Sequence, residues 1–455
     1  MPPIEAREIV RLGEIFKRHG KLLYLVGGSV RDLLLGRQSK DLDLTTDAVP
    51  AEVKQIALES KPDSIYTVGE RFGTIGLVFD GWRVEITTFR AEQYEPLSRK
   101  PAVSFGTTLE GDLSRRDFTI NAMAQDVITG EIVDPHGGIA DLRARIIRAV
   151  GTPEERFAED PLRLLRAVRL AVELRFRLDA KTAEGIRATA HTLASISRER
   201  VAEEMNRILT SPQPGRGVRL LCDLGLMARV VPEVLEMRGM DQDRYHHKDV
   251  FEHTLLVLDR VQRDLPLRWA ALLHDIAKPR TVSFEDGEVH FWGHEHLGEQ
   301  MSRAILARLR LDHRTTDVVA KLVRMHLRAN QYDETWTDGA VRRLMREAGD
   351  DLWRLFDLSR ADVTSHRPVR VEAALARVQA LEERCRALAE REAVEALRSP
   401  LDGHDLMELF GRPPGPWIRP VKDYLLGLVI DGELGQDDKE RAKELAREYA
   451  REHGI

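Results

Sequence analysis

The sequence predicts an α+β protein in which a small mixed-sheet head over residues 1–150 precedes an almost entirely helical remainder. In the first third, short apolar segments such as Thr74–Phe79 and Val84–Phe89 alternate with helical stretches. After Asp160 the strand pattern almost vanishes. Apolar residues then recur at helical spacing, as at Leu164, Leu165, Ala167, Val168 and Ala171. At 455 residues the chain is too long for one core, so several domains are expected.

Composition indicates a soluble cytoplasmic protein. No apolar run approaches the length of a membrane span. The two cysteines, Cys222 and Cys385, lie far apart and in no metal-ligand spacing, which favours a reducing compartment and gives no disulfide framework. The formal net charge of −6 does not favour a nucleic-acid partner. Phosphate contact requires a local basic surface, however, and not a basic average.

The most informative segment of the head is Asp41–Thr46, which follows a buried strand over residues 22–26 and a Gly27-Gly28-Ser29 turn. Alternate side chains of a strand share a face, so Asp41 and Asp43 project together and can hold two divalent cations. The glycine turn lets backbone amides and a helix N-terminus approach nucleotide phosphates. The combination predicts nucleotidyl transfer, whereas an Asp-x-Asp pair alone is weak evidence.

Two further segments carry groups suited to nucleotide recognition. Arg115-Arg116-Asp117 with Asn121 offers guanidinium forks for phosphate and polar groups for a sugar hydroxyl; a surface ion-pair cluster is the alternative. In Glu159-Asp160-Pro161-Leu162-Arg163, positions 160 and 163 are one turn apart if both lie on a helix, so Asp160 and Arg163 can meet the edge of one base. An ordinary helical ion pair is the alternative there. Residues 134–148 are interpreted as a glycine turn, a final short strand and a hinge.

In this order the motifs resemble those of the class II tRNA nucleotidyltransferases, the CCA-adding enzymes and their bacterial poly(A) polymerase relatives, over roughly the first 205 residues. The resemblance implies that Asp41 and Asp43 hold Mg²⁺. It implies that Gly28, Ser29, Arg31 and Asp32 line the triphosphate site and that Arg116 and Asp117 contact the ribose and phosphates, beside the Asn121 amide noted above. Asp160 and Arg163 would imitate Watson–Crick pairing with C or A, and Ser197–Glu204 is similar to the motif that braces the neck helix.

The resemblance further implies that the 3′ hydroxyl of a tRNA attacks the α-phosphate of CTP or ATP and releases pyrophosphate. Near the neck, basic side chains suited to nucleotide or RNA phosphates are Arg163, Arg166, Arg169, Arg175 and Arg177. Glu85 sits where related polymerases can supply a further carboxylate, so the resemblance makes it a candidate metal ligand. The stretch from Arg90 to Gly106, with Glu92, Tyr94, Arg99 and Lys100, resembles the full-length flexible loop needed for addition of the terminal A.

A second candidate site lies between residues 246 and 366, where imidazoles and carboxylates occur in helical contexts. Such groups converging from several helices suit a transition-metal site of one or two ions. The set is His253, His274, Asp275, His294, His326 and Asp362. It resembles the HD-domain metal phosphohydrolases, which implies hydrolysis of a phosphomonoester or 2′,3′-cyclic phosphate. Competing ligands are His246, His247, His290, His296 and His366, and a dimerisation or tRNA-docking module is the alternative.

Breakers near residues 211–215, 241–249 and 411–416 suggest the domain limits. We expect a nucleotidyltransferase head at 1–150, a helical neck and body at 151–240, an HD domain at 241–370 and a helical region at 371–455. Several alternatives stay open: complete CCA addition or addition of A alone, a poly(A) polymerase, and an HD hydrolase with an RNA-binding head. A homodimer and the identity of the HD metal also stay open.

Overall fold

The computed structural model describes residues 4–37, 41–79, 81–93, 102–105, 108–240, 249–285, 288–364, 368–392 and 398–454. The chain divides into two compact units, Met1–Pro232 and Glu233–Ile455. The first contains the predicted mixed sheet, and the second is dominated by helices, so the predicted α+β class is confirmed. Within the described ranges, no helix combines the length and apolar character needed to cross a bilayer.

The head contains strands β1 to β9, which are Leu23–Val26, Asp41–Thr46, Ser64–Tyr66, Thr74–Phe79, Trp82–Thr88, Arg90–Gln93, Ala102–Phe105, Ala124–Asp126 and Ile132–Val133. Seven of these strands form a mixed sheet with the order β3-β4-β5-β2-β1-β8-β9, and β6 and β7 form a separate pair. Its helices α1 to α5 are Ile4–Arg18, Gly28–Leu34, Pro50–Glu59, Leu109–Ser114 and Gly138–Ala144. The pair β2–β5 is parallel, and the other pairs in this sheet are antiparallel.

One face of this sheet packs into the main core of the head. Leu12 and Phe16 of α1 and Leu44 of β2 belong to this core, and each is at most 1% exposed. Because side chains alternate along a strand, burying Leu44 turns Asp43 to the opposite face. The core therefore fixes the direction in which the carboxylates project.

The rest of the first unit is helical apart from the short parallel pair β10 (Ile146–Ile147) and β11 (Arg177–Leu178). Its helices α6 to α11 are Pro153–Glu159, Leu162–Leu174, Ala180–Thr189, Arg198–Leu209, Pro214–Asp223 and Met227–Val230. The expectation of only a turn and strand over 134–148 is incomplete, because α5 forms there. Asp134 caps α5 by accepting from the amides of Gly138 (2.6 Å) and Ile139 (2.9 Å).

The second unit contains α12 to α23: Glu233–Glu236, Val250–Arg260, Leu265–Leu273, Lys278–Thr281, His294–Arg308, His313–Met325, Asp338–Ala348, Leu352–Asp362, Pro368–Glu392, Gly403–Phe410, Ile418–Asp431 and Lys439–His453. A short hairpin of β12 (Ser283–Glu285) and β13 (Glu288–His290) precedes α16. Helices α21, α22 and α23 share a small core that includes Leu406, Leu425 and Ala446. This agrees with a small helical module at the end of the chain.

Two sequence expectations concern less regular parts of the molecule. Strands β6 and β7 pair within the predicted flexible loop, but Tyr94, Arg99 and Lys100 at its centre lie outside the described residues. Cys222 and Cys385 are both buried and are not joined in a disulfide. Burial raises the pKa of Cys385 to about 11.

Candidate active site and candidate metal centre

The glycine turn and the carboxylate strand are joined by a hydrogen bond. The backbone N–H of Asp43 donates to the Ser29 hydroxyl oxygen over 2.9 Å. Gly27 has a positive φ of 67°, and a Cβ atom there would lie 2.7 Å from Nη1 of Arg116. A side chain at Gly27 would therefore be strained and would displace the guanidinium. The turn, Ser29 and Arg116 thus lie together at the end of the carboxylate strand.

Asp41 and Asp43 project from β2 on the same exposed face, as predicted. Both line a cavity of about 640 Å³, together with Tyr66, Arg83 and Glu85. Glu85 of β5 is the register partner of Asp43. Partial desolvation and the Glu85 carboxylate raise the pKa of Asp43, outweighing Arg116 and Arg31. Clustered carboxylates of this kind suit a hard divalent cation such as Mg²⁺, which prefers oxygen ligands.

The other predicted head residues form one hydrogen-bonded chain next to the turn. Arg31 donates to Asn121 Oδ1 over 2.7 Å and pairs with Asp32 over 2.8 Å. Asn121 Nδ2 in turn donates to Asp117 Oδ1 over 3.0 Å. Residues 90 positions apart in sequence are thereby brought to one place, which supports their interpretation as one binding surface.

Asp160 and Arg163 are arranged differently from the sequence expectation. Helix α6 ends at Glu159 and α7 begins at Leu162, so Asp160 lies in the break between them, and the prediction that one helix carries both residues is wrong. Pro161 occupies this break because a proline is tolerated at a helix start and not in its interior. Asp160 lies 3.4 Å from Arg200.

Arg163 is buried, with its guanidinium engaged inside the first unit. It donates to Glu159 (2.7 Å) and to the backbone carbonyls of Arg156 and Arg115 (3.0 Å each). Its role in base selection stays a prediction. A base could meet this guanidinium only after some of these bonds are exchanged.

A buried ion pair connects the neck helices α7 and α9. Arg169 Nε lies 2.9 Å from Glu204 Oε2, and Arg166 lies 3.4 Å from Glu204 and 3.8 Å from Asp117. Burial lowers the pKa of Arg169 and raises that of Glu204 against the effect of their mutual attraction. Arg163 and Arg169 therefore do not belong to an exposed basic surface, contrary to the expectation for RNA phosphates.

In the second unit, the six predicted metal ligands converge in two sets of three. Within each set, one candidate ligand atom per residue lies within 4.8 Å of the others; the sets are His253, His274 and Asp362, and Asp275, His294 and His326. Asp275 faces both sets. Its Oδ2 lies 3.1 Å from His274 Nε2, and its Oδ1 lies 3.5 Å from His294 Nε2. One carboxylate can therefore serve two ions.

Three of the histidines are oriented by backbone carbonyls. His274, His294 and His326 each place Nδ1 2.7–2.9 Å from the carbonyl oxygen three residues earlier, which leaves Nε2 to face the cluster. Such a bond fixes the tautomer of a metal-binding imidazole. His253 is held instead through Nδ1 by the Thr364 hydroxyl at 2.8 Å.

The electrostatics of the cluster also fit a cation. Asp275 Oδ2 is fully buried and makes no hydrogen bond of proper geometry, although Lys278 Nζ lies 2.8 Å away. Burial lowers the pKa of His326 to about 4, so this imidazole is neutral, as a ligand must be. Burial alone would lower the pKa of His274 as well, but Asp275 and Asp362 raise it to about 10. A bound cation would take the place of the proton that His274 holds between these carboxylates.

Of the competing histidines, the two that the structure describes, His290 and His296, belong to neither set. His290 stacks on Trp292 with 5.2 Å between ring centroids, and His296 is exposed beside Glu295. His246, His247 and His366 lie outside the described residues.

Comparisons with known proteins agree with this architecture. The family described as "Poly A polymerase head domain" matches residues 23–148, and "Probable RNA and SrmB- binding site of polymerase A" matches residues 175–237. The HD domain family matches residues 250–391. A CCA-adding enzyme of Geobacillus stearothermophilus is 33% identical over 444 residues, which cover 97% of this chain and 96% of that relative.

The chain belongs to the tRNA nucleotidyltransferase family of the CCA-adding enzymes. A second tRNA nucleotidyltransferase, the A-adding enzyme of Deinococcus radiodurans, is 35% identical and covers 92% of this chain and 94% of its own length. The crystal structure of the Bacillus stearothermophilus CCA-adding enzyme in complex with CTP superposes with a TM-score of 0.69. It is 30% identical and covers 100% of this chain and 99% of that one.

Sequence reasoning missed one residue that orders this tRNA nucleotidyltransferase head. Asp112 is fully buried and pairs with Arg115 (2.8 Å) and Arg116 (3.0 Å). Burial alone would raise the pKa of Asp112, but the guanidiniums of Arg116 and Arg115 outweigh it and lower the pKa. The spacing of three and four residues was the available signal, since such positions meet on a helix.

Proposed function

We propose that this chain adds C and A to the 3′ end of tRNA without a template, using CTP and ATP and releasing pyrophosphate. The observation that supports this proposal most directly is the exposed face of β2, where Asp41 and Asp43 line one cavity beside Glu85. The chain of Arg31, Asn121 and Asp117 adds to the support. The names of the relatives, CCA-adding enzyme and A-adding tRNA nucleotidyltransferase, support the same reaction.

In this proposal Asp41 and Asp43 hold Mg²⁺ at the exposed face of β2. A divalent ion held by these carboxylates would lower the pKa of the attacking 3′ hydroxyl and would neutralise the leaving phosphate oxygens. Ser29 and the amides following Gly27 bind the triphosphate, with Arg31 and Arg116 as its cationic partners. Asn121 and Asp117 orient the ribose. Positioning of this kind accounts for much of the rate of phosphoryl transfer.

The proposed base contacts come from Asp160 and Arg163, with Arg166 and Arg169 behind them. Asp160 supplies an acceptor next to the exposed Arg200, whereas Arg163 is already ordered by Glu159. Once some of its present bonds are exchanged, this guanidinium would offer donors to one base edge. Donors and acceptors at defined positions are what selection of C or A without a template requires.

The test is single-nucleotide extension of tRNA transcripts that end before CCA, after C and after CC, with CTP, ATP or both in Mg²⁺. Extension of each transcript to one CCA end is expected. Addition of a single A only to the CC-ending transcript would restrict the enzyme to A addition, and unlimited A tails would make it a poly(A) polymerase. Asp43→Asn is the inactive control, and no extension by the unaltered chain would overturn the proposal.

The metal centre of the second unit supports a second activity, the hydrolysis of a phosphate ester. The observation that favours it is Asp275, whose two oxygens face different histidine sets. His253, His274 and Asp362 would hold one divalent transition-metal ion, and His294 and His326 would hold another. Two ions held by these residues would supply an activated water and would stabilise the leaving oxygen.

A direct test incubates the full chain, loaded separately with Mn²⁺, Ni²⁺, Co²⁺ or Zn²⁺, with a 2′,3′-cyclic nucleotide and with RNA bearing a terminal phosphate. Release of a ring-opened product or of inorganic phosphate is expected with at least one metal, and is expected to vanish in Asp275→Asn. Equal tRNA extension by this variant would indicate two independent sites. Loss of tRNA affinity in His274→Ala would favour a structural role for the centre.

A further inference from the structure

A stacked pair of aromatic rings lies at the end of the β12–β13 hairpin. The ring centroids of His290 and Trp292 are 5.2 Å apart, and the two planes are within 10° of parallel. Trp292 is 69% exposed, so most of its indole is open to a ligand. Tryptophan is highly buried on average, and aromatic rings are common in ligand sites. The exposed pair is therefore a candidate binding surface and not part of a core.

The backbone that follows this pair carries a ligand of the metal centre. The carbonyl oxygen of Phe291 lies 2.7 Å from Nδ1 of His294 and orients that imidazole. Gly293, with a positive φ of 74°, leads the chain into α16, whose first residue is His294. Trp292 precedes His294 by two residues, so their Cα atoms are at most about 7 Å apart. The aromatic pair thus lies at the edge of the metal centre.

Lys278 connects the same segment to the metal centre a second time. Its Nζ atom lies 2.8 Å from Oδ2 of Asp275 and 5.4 Å from the centroid of the Phe291 ring. One ammonium group makes both contacts, so the residue before Trp292 packs beside the carboxylate that faces both histidine sets. The place of Trp292 at this edge is therefore fixed from two sides, through the backbone to His294 and through Lys278.

A nucleotide is the ligand that fits both parts of this arrangement. Bases stack on exposed aromatic rings, and such stacking accepts any base because every base has a π-face. Divalent ions bind phosphate oxygens, so the metal centre suits the phosphate ester. A nucleotide carries a base and a phosphate ester a short distance apart. A phosphate ester without a base would leave the indole unused.

We infer that Trp292 stacks on the base of a nucleoside phosphate ester whose phosphate lies at the metal centre, and that His290 is a positioning residue that supports the indole. This rests on the proposed phosphate-ester hydrolysis and names the substrate class of that site. Trp292 then determines specificity for a nucleoside and takes no part in bond breaking. Esters without a base should reach the metal centre equally well in its absence.

The other face of the hairpin offers a matched control. Ser283 pairs with His290, whereas Phe284 pairs with Val289, so Phe284 projects from the face opposite His290. Phe284 is 77% exposed. Phe284→Leu therefore removes an exposed aromatic ring from the same hairpin without altering the stacked pair, and it should leave every measurement below unchanged.

The kinetic test compares two cyclic phosphates, 2′,3′-cyclic AMP and the base-free glycerol 1,2-cyclic phosphate, with the metal-loaded full chain. In both, water adds to phosphorus and one ring P–O bond breaks, which leaves a phosphomonoester and a free hydroxyl. Trp292→Ala is expected to raise KM for 2′,3′-cyclic AMP about 5- to 150-fold, the range for one stacked base, with kcat nearly unchanged. Its kcat/KM for the glycerol ester should stay the same. Trp292→Tyr, which keeps an aromatic ring, should retain most of the affinity.

A smaller effect is expected from the supporting ring. His290→Ala should raise KM for 2′,3′-cyclic AMP about 2- to 10-fold, because the indole loses its stacking partner. His290→Ala added to Trp292→Ala should have no further effect. Metal content should equal that of the unaltered chain in these variants, since neither side chain belongs to a three-residue set. An unchanged KM in Trp292→Ala, equal losses for both esters, or the same loss in Phe284→Leu would overturn the inference.

A binding measurement separates the inference from the proposed hydrolysis. The probe is 2-aminopurine riboside 3′-phosphate, whose fluorescence falls when its base stacks on an aromatic ring. Titration with the full chain should quench it equally for the unaltered protein and Phe284→Leu, and Trp292→Ala should bind it at least about fivefold more weakly. Binding at the head is common to all three proteins and drops out of the comparison.

The outcomes of the two measurements are distinguishable. Quenching that depends on Trp292, without hydrolysis of either ester, would refute the proposed hydrolysis and support the stacking. Hydrolysis accompanied by equal quenching in Trp292→Ala and the unaltered chain would overturn the stacking alone. Absence of quenching by the unaltered chain would overturn it as well.

Discussion

Ser29 accepts a hydrogen bond from the backbone N–H of Asp43, and this 2.9 Å contact ties the glycine turn to the carboxylate strand. The serine is buried, so its oxygen holds the amide while its own hydrogen can donate to a phosphate oxygen. The turn and the strand that carries Asp41 and Asp43 therefore keep a fixed spacing.

We predict that Ser29→Ala lowers kcat/KM for CTP about 3- to 10-fold, because a buried amide loses its partner and the carboxylate strand is less well positioned. Steady-state extension of a tRNA lacking CCA measures the effect. Ser114→Ala is the control, since that hydroxyl bonds only within its own helix, to the Glu110 carbonyl. Equal rates for the two variants would contradict the prediction.

Asp160→Ala is expected to reduce the preference for CTP and ATP over GTP and UTP by about tenfold or more, because it removes one acceptor from the base-reading pair. Competition between nucleotides in the extension assay gives the ratio. Arg200→Ala, which removes the exposed partner of Asp160, should change the ratio much less. An unaltered ratio in Asp160→Ala would remove the base-reading assignment.

The metal centre is predicted to hold two ions per full chain, one for each three-residue set. Metal content after dialysis, measured by inductively coupled plasma mass spectrometry, should fall to about one ion in His326→Ala and below one in Asp275→Asn. His296→Ala should keep both, since this exposed histidine is in neither set. A single ion in the unaltered chain would argue against the shared carboxylate.

Breaking the buried Arg169–Glu204 pair on one side should destabilise the neck strongly. Glu204→Ala is expected to cost about 3–5 kcal/mol, because Arg169 is left as an unpaired buried charge. The double variant Arg169→Met/Glu204→Leu should cost far less, since it leaves no charge behind. Hydrogen exchange of peptides from α7 and α9, read by mass spectrometry, measures both.

The control for that prediction is an ion pair that joins the same two helices on their exposed side. Glu173→Ala breaks the pair with Arg207, in which Arg207 is 57% exposed, and should cost at most about 1 kcal/mol. Similar losses of protection in Glu173→Ala and Glu204→Ala would contradict the distinction between the buried and the exposed pair.

Local periodicity predicted much of the molecule. The alternation along β2 placed Asp41 and Asp43 on one face, because the two-residue repeat of a strand needs no tertiary information. The six HD ligands were likewise recognisable from residue type and helical context. Their division into two sets with Asp275 between them could not be predicted, because it depends on how helices separated by up to about 100 residues pack together.

The predictions that proved wrong mostly concern the direction in which side chains point. The sequence predicts Arg163 and Arg169 as phosphate contacts, but partners 48 and 35 positions away in the chain turn both side chains inward. The alignment of Tyr66 and Gly76 with Glu85 was not predicted, because the register between strands depends on the turns that join them and on which face of the sheet is buried. The break before Leu162 follows from Pro161 itself, since a proline is disfavoured inside a helix.

The shared position of Asp275 has a thermodynamic consequence for a centre that binds two ions. A carboxylate bridging two ions divides its negative charge between them, so the first ion to bind withdraws part of the attraction that the second would feel. Reciprocity requires each ion to weaken the other by the same factor. The first and second ions would then bind at different metal concentrations, and a protein with one ion would persist over the range between them.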